Sequence, residues 1–152
     1  MHADDRDVVA QQIGREPRAF LRVAVRCPFG KPAVTEQAPF DADGHPFPTQ
    51  YYVTCPALVA AISRLEAAGG VERWSAAARE DDELAASLAD AQARQRELRP
   101  EIDAGIGGAT RGGSLKCLHA HAAFALARPG YELGERILAE LEPRWPERCC
   151  SQ

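Results

Sequence analysis

The sequence lacks the features of a membrane-spanning or secreted protein. None of its 152 residues fall in an apolar stretch that approaches the ~20 residues of a membrane helix. The acidic start Met1-His2-Ala3-Asp4-Asp5 does not show the basic and then apolar order of a secretion signal. We therefore expect a cytoplasmic protein with no membrane insertion.

The chain also has no excess of positive charge. Its formal net charge is -4 and its sequence pI is about 5.6. Because affinity for nucleic acid rises mainly with clustered lysine and arginine, we expect no nucleic-acid partner. A protein partner does not follow from the composition.

Repeats, heptad patterns and long linkers are absent as well. With 45% hydrophobic and 26% charged residues, the chain is typical of one compact domain that needs no disulfides to bury a core. We expect a single domain over residues 1–145 and a flexible tail over residues 146–152. Cys149 and Cys150 lie in this polar tail, so we leave them out of any site.

The hydrophobic pattern predicts an α+β fold in which a small antiparallel sheet, within residues 19–55, packs against four or five helices. Period-two alternation predicts strands over residues 19–27 and 50–55, with broken extended segments and a turn between them. Helical patterns cover residues 4–14, 56–68, 71–99 as one helix or two broken near Asp81-Asp82, 114–127, and the segment after Pro129-Gly130.

The alternation also predicts where two cysteines lie. In the first strand the buried face is expected to carry Leu21, Val23, Val25 and Cys27. In the last strand Cys55 shares a face with Tyr51 and Val53, and Pro56 fits the first turn of the following helix. Both cysteines are therefore expected at strand ends.

No two cysteines show the C-x-x-C spacing of a zinc ribbon, but three have similar surroundings. Cys27 and Cys55 each precede a proline, and Cys117 lies four residues before His121, on one face of the predicted helix. We predict a site of three thiolates and one imidazole for zinc or an iron–sulfur cluster. Buried unliganded thiols are the alternative. His45, in the turn Gly44-His45-Pro46, is a further candidate ligand.

A glycine-rich segment precedes the same helix. Its backbone N–H groups, with two basic side chains, could hold a small anion or phosphate, and the predicted binding residues are Gly107, Gly108, Arg111, Gly112, Gly113, Ser114 and Lys116. The segment is not a P-loop, since Gly113 stands where the lysine belongs. The alternative is that the glycines allow tight backbone passage.

Four blocks of the sequence resemble the bacterial domain-of-unknown-function family 501 over about residues 15–140. They are Arg26-Cys27-Pro28-Phe29-Gly30-Lys31-Pro32, residues 47–56, Leu65-Glu66-Ala67-Ala68-Gly69, and the segment from Gly105 to His121. The resemblance implies an uncharacterised protein of the kind common in actinobacteria, often encoded near a septum-formation initiator and an exopolyphosphatase. It implies that the family's working surface includes Cys27, Cys55, Cys117, His119 and His121, and it supplies no activity.

Three functions remain open. The first is a small metal-binding protein with the ligands Cys27, Cys55, Cys117 and His121. The second is an enzyme for a phosphorylated or otherwise anionic molecule, with Cys117 as the nucleophile and His119 or His121 as the base. No acidic partner for either histidine stands out in the four blocks. The third is an interaction module linked to cell division that binds through the helical region 71–99, with Trp74 as its anchor.

Overall fold

The structure, a computed structural model, describes residues 5–109 and 115–149. Within these ranges it contains three strands, six α-helices and one 3-10 turn. The elements are α1 (Asp5–Ile13), β1 (Phe20–Arg26), β2 (Pro32–Gln37), β3 (Tyr51–Val53), α2 (Pro56–Ala67), α3 (Gly70–Glu80), α4 (Asp82–Leu98), the 3-10 turn (Ile106–Gly108), α5 (Leu118–Ala127) and α6 (Glu132–Ala139). The predicted α+β class is confirmed, and the six α-helices exceed the expected four or five because the region 71–99 forms two helices.

The sheet is antiparallel with the order β1-β2-β3, so β2 is the central strand. Its register pairs Val34 with Val53 and Thr35 with Tyr52. The side chains of opposite partners point to the same face, which separates an apolar face from a more polar one. β2 is almost wholly buried because helices cover both of its faces.

Strand β1 departs from the predicted alternation. Leu21 was expected on the buried face, but its side chain is 48% exposed. The register between β1 and β2 shifts between Phe20 and Arg22 and again near Val25. Such an irregularity rotates the following side chains relative to the sheet, so strict alternation fails on this edge strand. Cys27 still ends on the buried side, at 7% exposure.

Helix α5 is the centre of the core and is apolar around most of its circumference. It packs on the sheet through Phe124, whose ring meets Tyr51 edge-on at 6.0 Å between centroids. α6 approaches it so closely that a Cβ on Gly134 would lie 2.6 Å from the Cβ of Ala125. Glycine is required at this position because any side chain would separate the two helices.

The helical region 71–99 is two helices, α3 and α4. Asp81 lies between them in an extended conformation and accepts hydrogen bonds from the N–H groups of Glu83 (2.9 Å) and Leu84 (3.2 Å). This N-cap explains why the chain breaks at the predicted Asp81-Asp82 position. No helix in the described part of the chain is long and apolar enough to cross a membrane.

The segment between β2 and β3 is fixed to α4 by buried polar side chains. Arg99 donates to the carbonyl of Phe47 at 2.7 Å and also to that of Gln37. Gln95 donates to the side chain of Gln50 at 2.9 Å. Because buried carbonyls need donors, these contacts set the path of the chain into β3, the strand that borders the site described next.

Candidate active site

A pocket of about 270 Å³ lies at the edge of β3, where α1, α2 and α5 converge. Two side chains with catalytic chemistry, Cys117 and His119, contribute to its wall, and Arg15 and Tyr52 add a cation and a phenol. The complete lining is Ile13, Arg15, Thr49, Tyr51, Tyr52, Val53, Val59, Gly107, Cys117, His119 and Ala120. The pocket therefore combines an apolar wall with a few convergent polar groups, which is typical of small-molecule sites.

Cys117 is the N-cap of α5 and is not part of the helix. Its backbone is extended, with φ -155° and ψ 153°, and its side chain makes no capping hydrogen bond. The helix was expected to begin at Ser114, which lies outside the described residues, and to include Cys117. Its start at Leu118 corrects that expectation and places the thiol, half-buried, in the pocket wall.

His119 is held between two side chains of α2. Its Nδ1 lies 3.1 Å from Oε2 of Glu66, and its Nε2 lies 3.3 Å from Oγ of Ser63. A carboxylate can only accept, so Nδ1 carries a proton; in the neutral imidazole Nε2 then keeps the lone pair that accepts the serine hydroxyl. The resulting Ser63–His119–Glu66 chain has the hydrogen-bond order of a general-base relay.

Glu66 also caps the N-terminus of α5. The same Oε2 atom accepts the backbone N–H of Leu118 at 2.7 Å, at the start of α5. A negative charge here also complements the positive end of the helix dipole. One carboxylate therefore caps α5, which has no cap of its own, and orients the imidazole of its second residue.

The groups of the pocket that carry positive charge or partial positive charge are Arg15 and the start of α5. The N–H groups of His119 and Ala120 belong to the first turn of α5, where a helix lacks intrahelical acceptors. Arg15 makes no ion pair within the described residues. Burial raises the pKa of the Tyr52 hydroxyl; Arg15 opposes this shift and Cys117 adds to it. Both groups therefore lie close enough to Tyr52 to act on it electrostatically.

A family model described as Protein of unknown function (DUF501) matches residues 23–103, just over half of the chain. The chain belongs to this family. The matched stretch is shorter than the expected 15–140 and includes Ser63 and Glu66, whereas Cys117 and His119 follow it. No curated protein and no solved structure gave a match.

The DUF501 match therefore supplies no activity, and the predicted metal ligands must be judged by geometry. Cys27 and Cys55 are buried in the core at 7% and 1% exposure, and Cys117 faces the pocket. No three atoms of the predicted set Cys27, Cys55, Cys117 and His121 form a group within 4.8 Å of one another in the described part of the chain. The structure does not bring this zinc or iron–sulfur site together.

His121 lies on the opposite side of α5 from the pocket. It is 2% exposed, and its Nδ1 shares a 2.7 Å hydrogen bond with the hydroxyl of Tyr131. Burial lowers the pKa of His121 to about 4 and raises the pKa of the Tyr131 hydroxyl above its ordinary value. These contacts describe a neutral core histidine, so His119 is the better of the two predicted bases.

One group of potential ligands does come together, at the turn before β3. Ligand atoms of Asp41, Asp43 and His45 lie within 4.8 Å of one another. Asp41 accepts the backbone N–H groups of Asp43 (2.9 Å) and His45 (3.0 Å), and Arg18 binds its carboxylate at 2.9 Å. The hydrogen bonds to the backbone lower the pKa of Asp41. This is a hydrogen-bonded turn whose central carboxylate is already neutralised.

The predicted anion loop is only partly described. Gly107 and Gly108 have φ of 69° and 77°, and a Cβ would lie 3.1 Å from Ala120 and from Pro48 respectively. These glycines permit close backbone passage, and Gly107 also lines the pocket. Lys116 is exposed. The other predicted residues, Arg111, Gly112, Gly113 and Ser114, lie outside the described residues.

Trp74, the proposed anchor of an interaction module, is half-buried. Its indole N–H donates to Glu140 at 2.5 Å, and the same carboxylate binds Arg73 at 3.0 Å. Trp74 thus joins α3 to the end of α6, a contact within the fold.

Proposed function

We propose that this protein is an enzyme that acts on a small anionic molecule in the Cys117–His119 pocket. The observation that carries the proposal is the Ser63–His119–Glu66 chain, with contacts of 3.3 and 3.1 Å, beside a cysteine in the same pocket. A base oriented by a carboxylate next to a nucleophile is a recurrent arrangement in covalent catalysis. Arg15 and the start of α5 support binding of the substrate's negative charge.

The roles of Cys117 and His119 in the proposed reaction follow from their positions in the pocket. No hydrogen bond joins Cys117 to His119 among the described contacts, so in this proposal the thiol first gives its proton to bulk water. The thiolate then forms a bond from sulfur to the electrophilic atom of the substrate. The leaving group departs with its electron pair. His119 Nε2 then removes a proton from a water, whose oxygen displaces the sulfur and regenerates the enzyme. The 3.3 Å contact between Nε2 and Ser63 Oγ supports a role for Nε2 as a proton acceptor.

Cys117 is a better candidate nucleophile than Ser63. Ser63 lies inside α2, where the backbone N–H groups are used by the helix, so free donors for a developing oxyanion are missing there. Cys117 lies beside the first turn of α5, where the N–H of Leu118 bonds to Glu66 and those of His119 and Ala120 lack intrahelical acceptors. Only the cysteine therefore lies beside donors that could stabilise negative charge on the substrate.

Alkylation with a charged and a neutral reagent tests the proposal. Iodoacetate and iodoacetamide differ mainly in charge, so their rate ratio at Cys117, compared with N-acetylcysteine amide in solution, measures how strongly the pocket favours an anion. We expect this ratio to be at least tenfold higher at Cys117, corresponding to about 1.4 kcal/mol, and to fall towards the solution value in Arg15→Gln. Mass spectrometry identifies the modified cysteine.

Arg22→Gln is a matched control, since Arg22 lies on the exposed edge strand away from the pocket and pairs with Glu36. It should leave the ratio unchanged. A ratio at Cys117 equal to that in solution, in protein shown to be folded, would contradict an anion-binding active site. So would unchanged ratios in Arg15→Gln.

A further inference from the structure

A second cavity, of about 230 Å³, lies on the polar face of the sheet and adjoins the active-site pocket. It is enclosed by α1, the segment after it, and the strands β2 and β3. Its lining is Val9, Ile13, Arg15, Glu16, Pro17, Arg18, Ala19, Thr35, Gln37, Phe47, Tyr52 and Thr54. Three residues, Ile13, Arg15 and Tyr52, line both cavities, so a ligand that binds Arg15 can reach either one.

A buried hydroxyl in this cavity has no partner. Thr54 is 2% exposed, and its Oγ1 makes no hydrogen bond in the described part of the chain. Its neighbours are already engaged: Thr35 donates to Gln37 at 3.1 Å, and the Gln37 amide donates to two carbonyls. Because buried polar groups are nearly always hydrogen-bonded, this enclosed hydroxyl would gain a partner if the side chain turned it towards a polar ligand atom in the cavity.

The rest of the cavity favours an apolar body over a second charge. Val9, Ala19 and Phe47 provide aliphatic and aromatic surface. Two charged lining residues are engaged within the fold, since Arg18 pairs with Asp41 at 2.9 Å and Glu16 pairs with Arg6. At the junction of the cavities, Arg15 makes no ion pair within the described residues and is positioned for a ligand's anionic group.

We propose that this second cavity binds the non-reacting part of the substrate. That part is a compact ring or acyl group that carries a hydroxyl or carbonyl, which bonds to Thr54 while the substrate's carboxylate or phosphate binds Arg15. This inference rests on the proposed function and names its substrate class: a small organic anion with one polar atom at the far end of an apolar body. The shared residue Tyr52 separates the reacting end from the recognition end.

Benzoate and 4-hydroxybenzoate are suitable probes because they differ only by the hydroxyl. Binding is followed by titration of the backbone amide NMR signals of isotope-labelled protein. We expect wild type to bind 4-hydroxybenzoate roughly fivefold to tenfold more tightly than benzoate, the effect of one net hydrogen bond. Thr54→Val keeps the shape of the side chain and should bind both probes equally. Arg15→Gln should weaken both.

Arg22→Gln is the control, because Arg22 lies on the exposed edge strand, pairs with Glu36 and lines neither cavity. It should keep the preference for the hydroxylated probe. Equal affinities in wild type would overturn the inference, because they would mean that the probe's hydroxyl gains no hydrogen bond in the cavity. Persistence of the preference in Thr54→Val would overturn it as well, as would the absence of any shift at Val9, Phe47 and Tyr52 at millimolar probe concentrations.

The Cys117→Ser variant separates this inference from the proposed function. The two-probe preference should survive in it, because the thiol is not part of the second cavity. If the preference for 4-hydroxybenzoate is preserved but wild-type Cys117 shows no enhanced reaction with iodoacetate, the binding site is supported and the proposed enzyme is not. If Cys117 reacts preferentially with iodoacetate but the two probes bind equally, the proposed enzyme is supported and the second binding site is not.

Discussion

The buried histidine of α5 gives the sharpest quantitative prediction. His121 is 2% exposed, and its only described side-chain hydrogen bond is to the Tyr131 hydroxyl at 2.7 Å. Burial disfavours the charged imidazolium and lowers the pKa from the ordinary 6.5 to about 4. Lowering the pH should therefore destabilise the protein, because the unfolded chain can take up a proton that the folded chain cannot.

The sign and size of the effect follow from proton linkage. Above pH 6.5 neither state holds the proton. Between pH 6.5 and 4 mainly the unfolded state holds the proton on His121. The free energy of unfolding therefore falls by up to about 1.4 kcal/mol for each unit by which the pH is lowered. With a folded-state pKa of about 4, His121 alone should remove about 2 kcal/mol of stability between pH 7 and pH 5. Below pH 4 both states are protonated and the loss levels off.

Urea unfolding at a series of pH values, in wild type and His121→Asn, measures this contribution. Asparagine has no titration in this range and can place its Oδ1 where Nδ1 meets the Tyr131 hydroxyl. The variant will be less stable overall because the smaller side chain leaves space in the core. Only the difference in slope between the two proteins is diagnostic, since other titrating groups contribute equally to both.

Parallel stability curves between pH 7 and pH 5 would refute the reasoning, because they would mean that His121 accepts a proton in the folded state. The measurement should be made on chelator-treated protein. A metal ligand would also stay unprotonated, but its resistance to acid would depend on the metal. Equal slopes before and after chelation would identify burial as the cause.

Three further predictions concern the site. Glu66→Gln should destabilise the protein by about 1–2 kcal/mol in thermal or urea unfolding, because Glu66 bonds both the Leu118 N–H and His119. As a control, substitution of the exposed Glu97 by Gln should change the stability by less than about 0.5 kcal/mol. Equal effects of the two substitutions would contradict the capping role of Glu66. Thr54→Val should not destabilise the unliganded protein, since the Thr54 hydroxyl has no partner. Thr35→Val should lower the free energy of unfolding by about 1 kcal/mol, because it removes the hydrogen bond to Gln37. A larger loss of stability in the Thr54 variant than in the Thr35 variant would refute this prediction. Elemental analysis of anaerobically purified protein should find less than one zinc or iron per chain, and a stoichiometric metal that chelators remove with loss of folding would restore the predicted cysteine site.

The parts of the fold with strong local signals could be predicted from the sequence. Pro56 begins α2 after Cys55, as expected from a proline at the first helical position. Asp81 caps α4 and divides the helical region 71–99 at the predicted place. These features depend on interactions within a few residues, so no tertiary information was needed to find them.

Features that depend on distant parts of the chain could not be found in this way. The bulges of β1 arise from pairing with β2 and leave Leu21 exposed. Glu66 is separated from His119 by 53 positions, and nothing in the sequence connects them. The sequence carries only weak signals for Ser63 and Glu66. These residues are three positions apart and so lie on one face of α2. Glu66 also belongs to one of the blocks that resemble the family.

The difference between the predicted metal site and the candidate active site comes down to where α5 begins. If Cys117 were helical, it would stand one turn from His121 on the same face, which is the pairing that suggested a metal site. As an extended N-cap it leaves that face and lines the pocket instead. His119 and His121, two positions apart on the helix, point in nearly opposite directions, one to Glu66 and one to Tyr131. A shift of the helix start therefore changes the histidine that accompanies the thiol, from His121 in the predicted metal site to His119 in the proposed catalytic site.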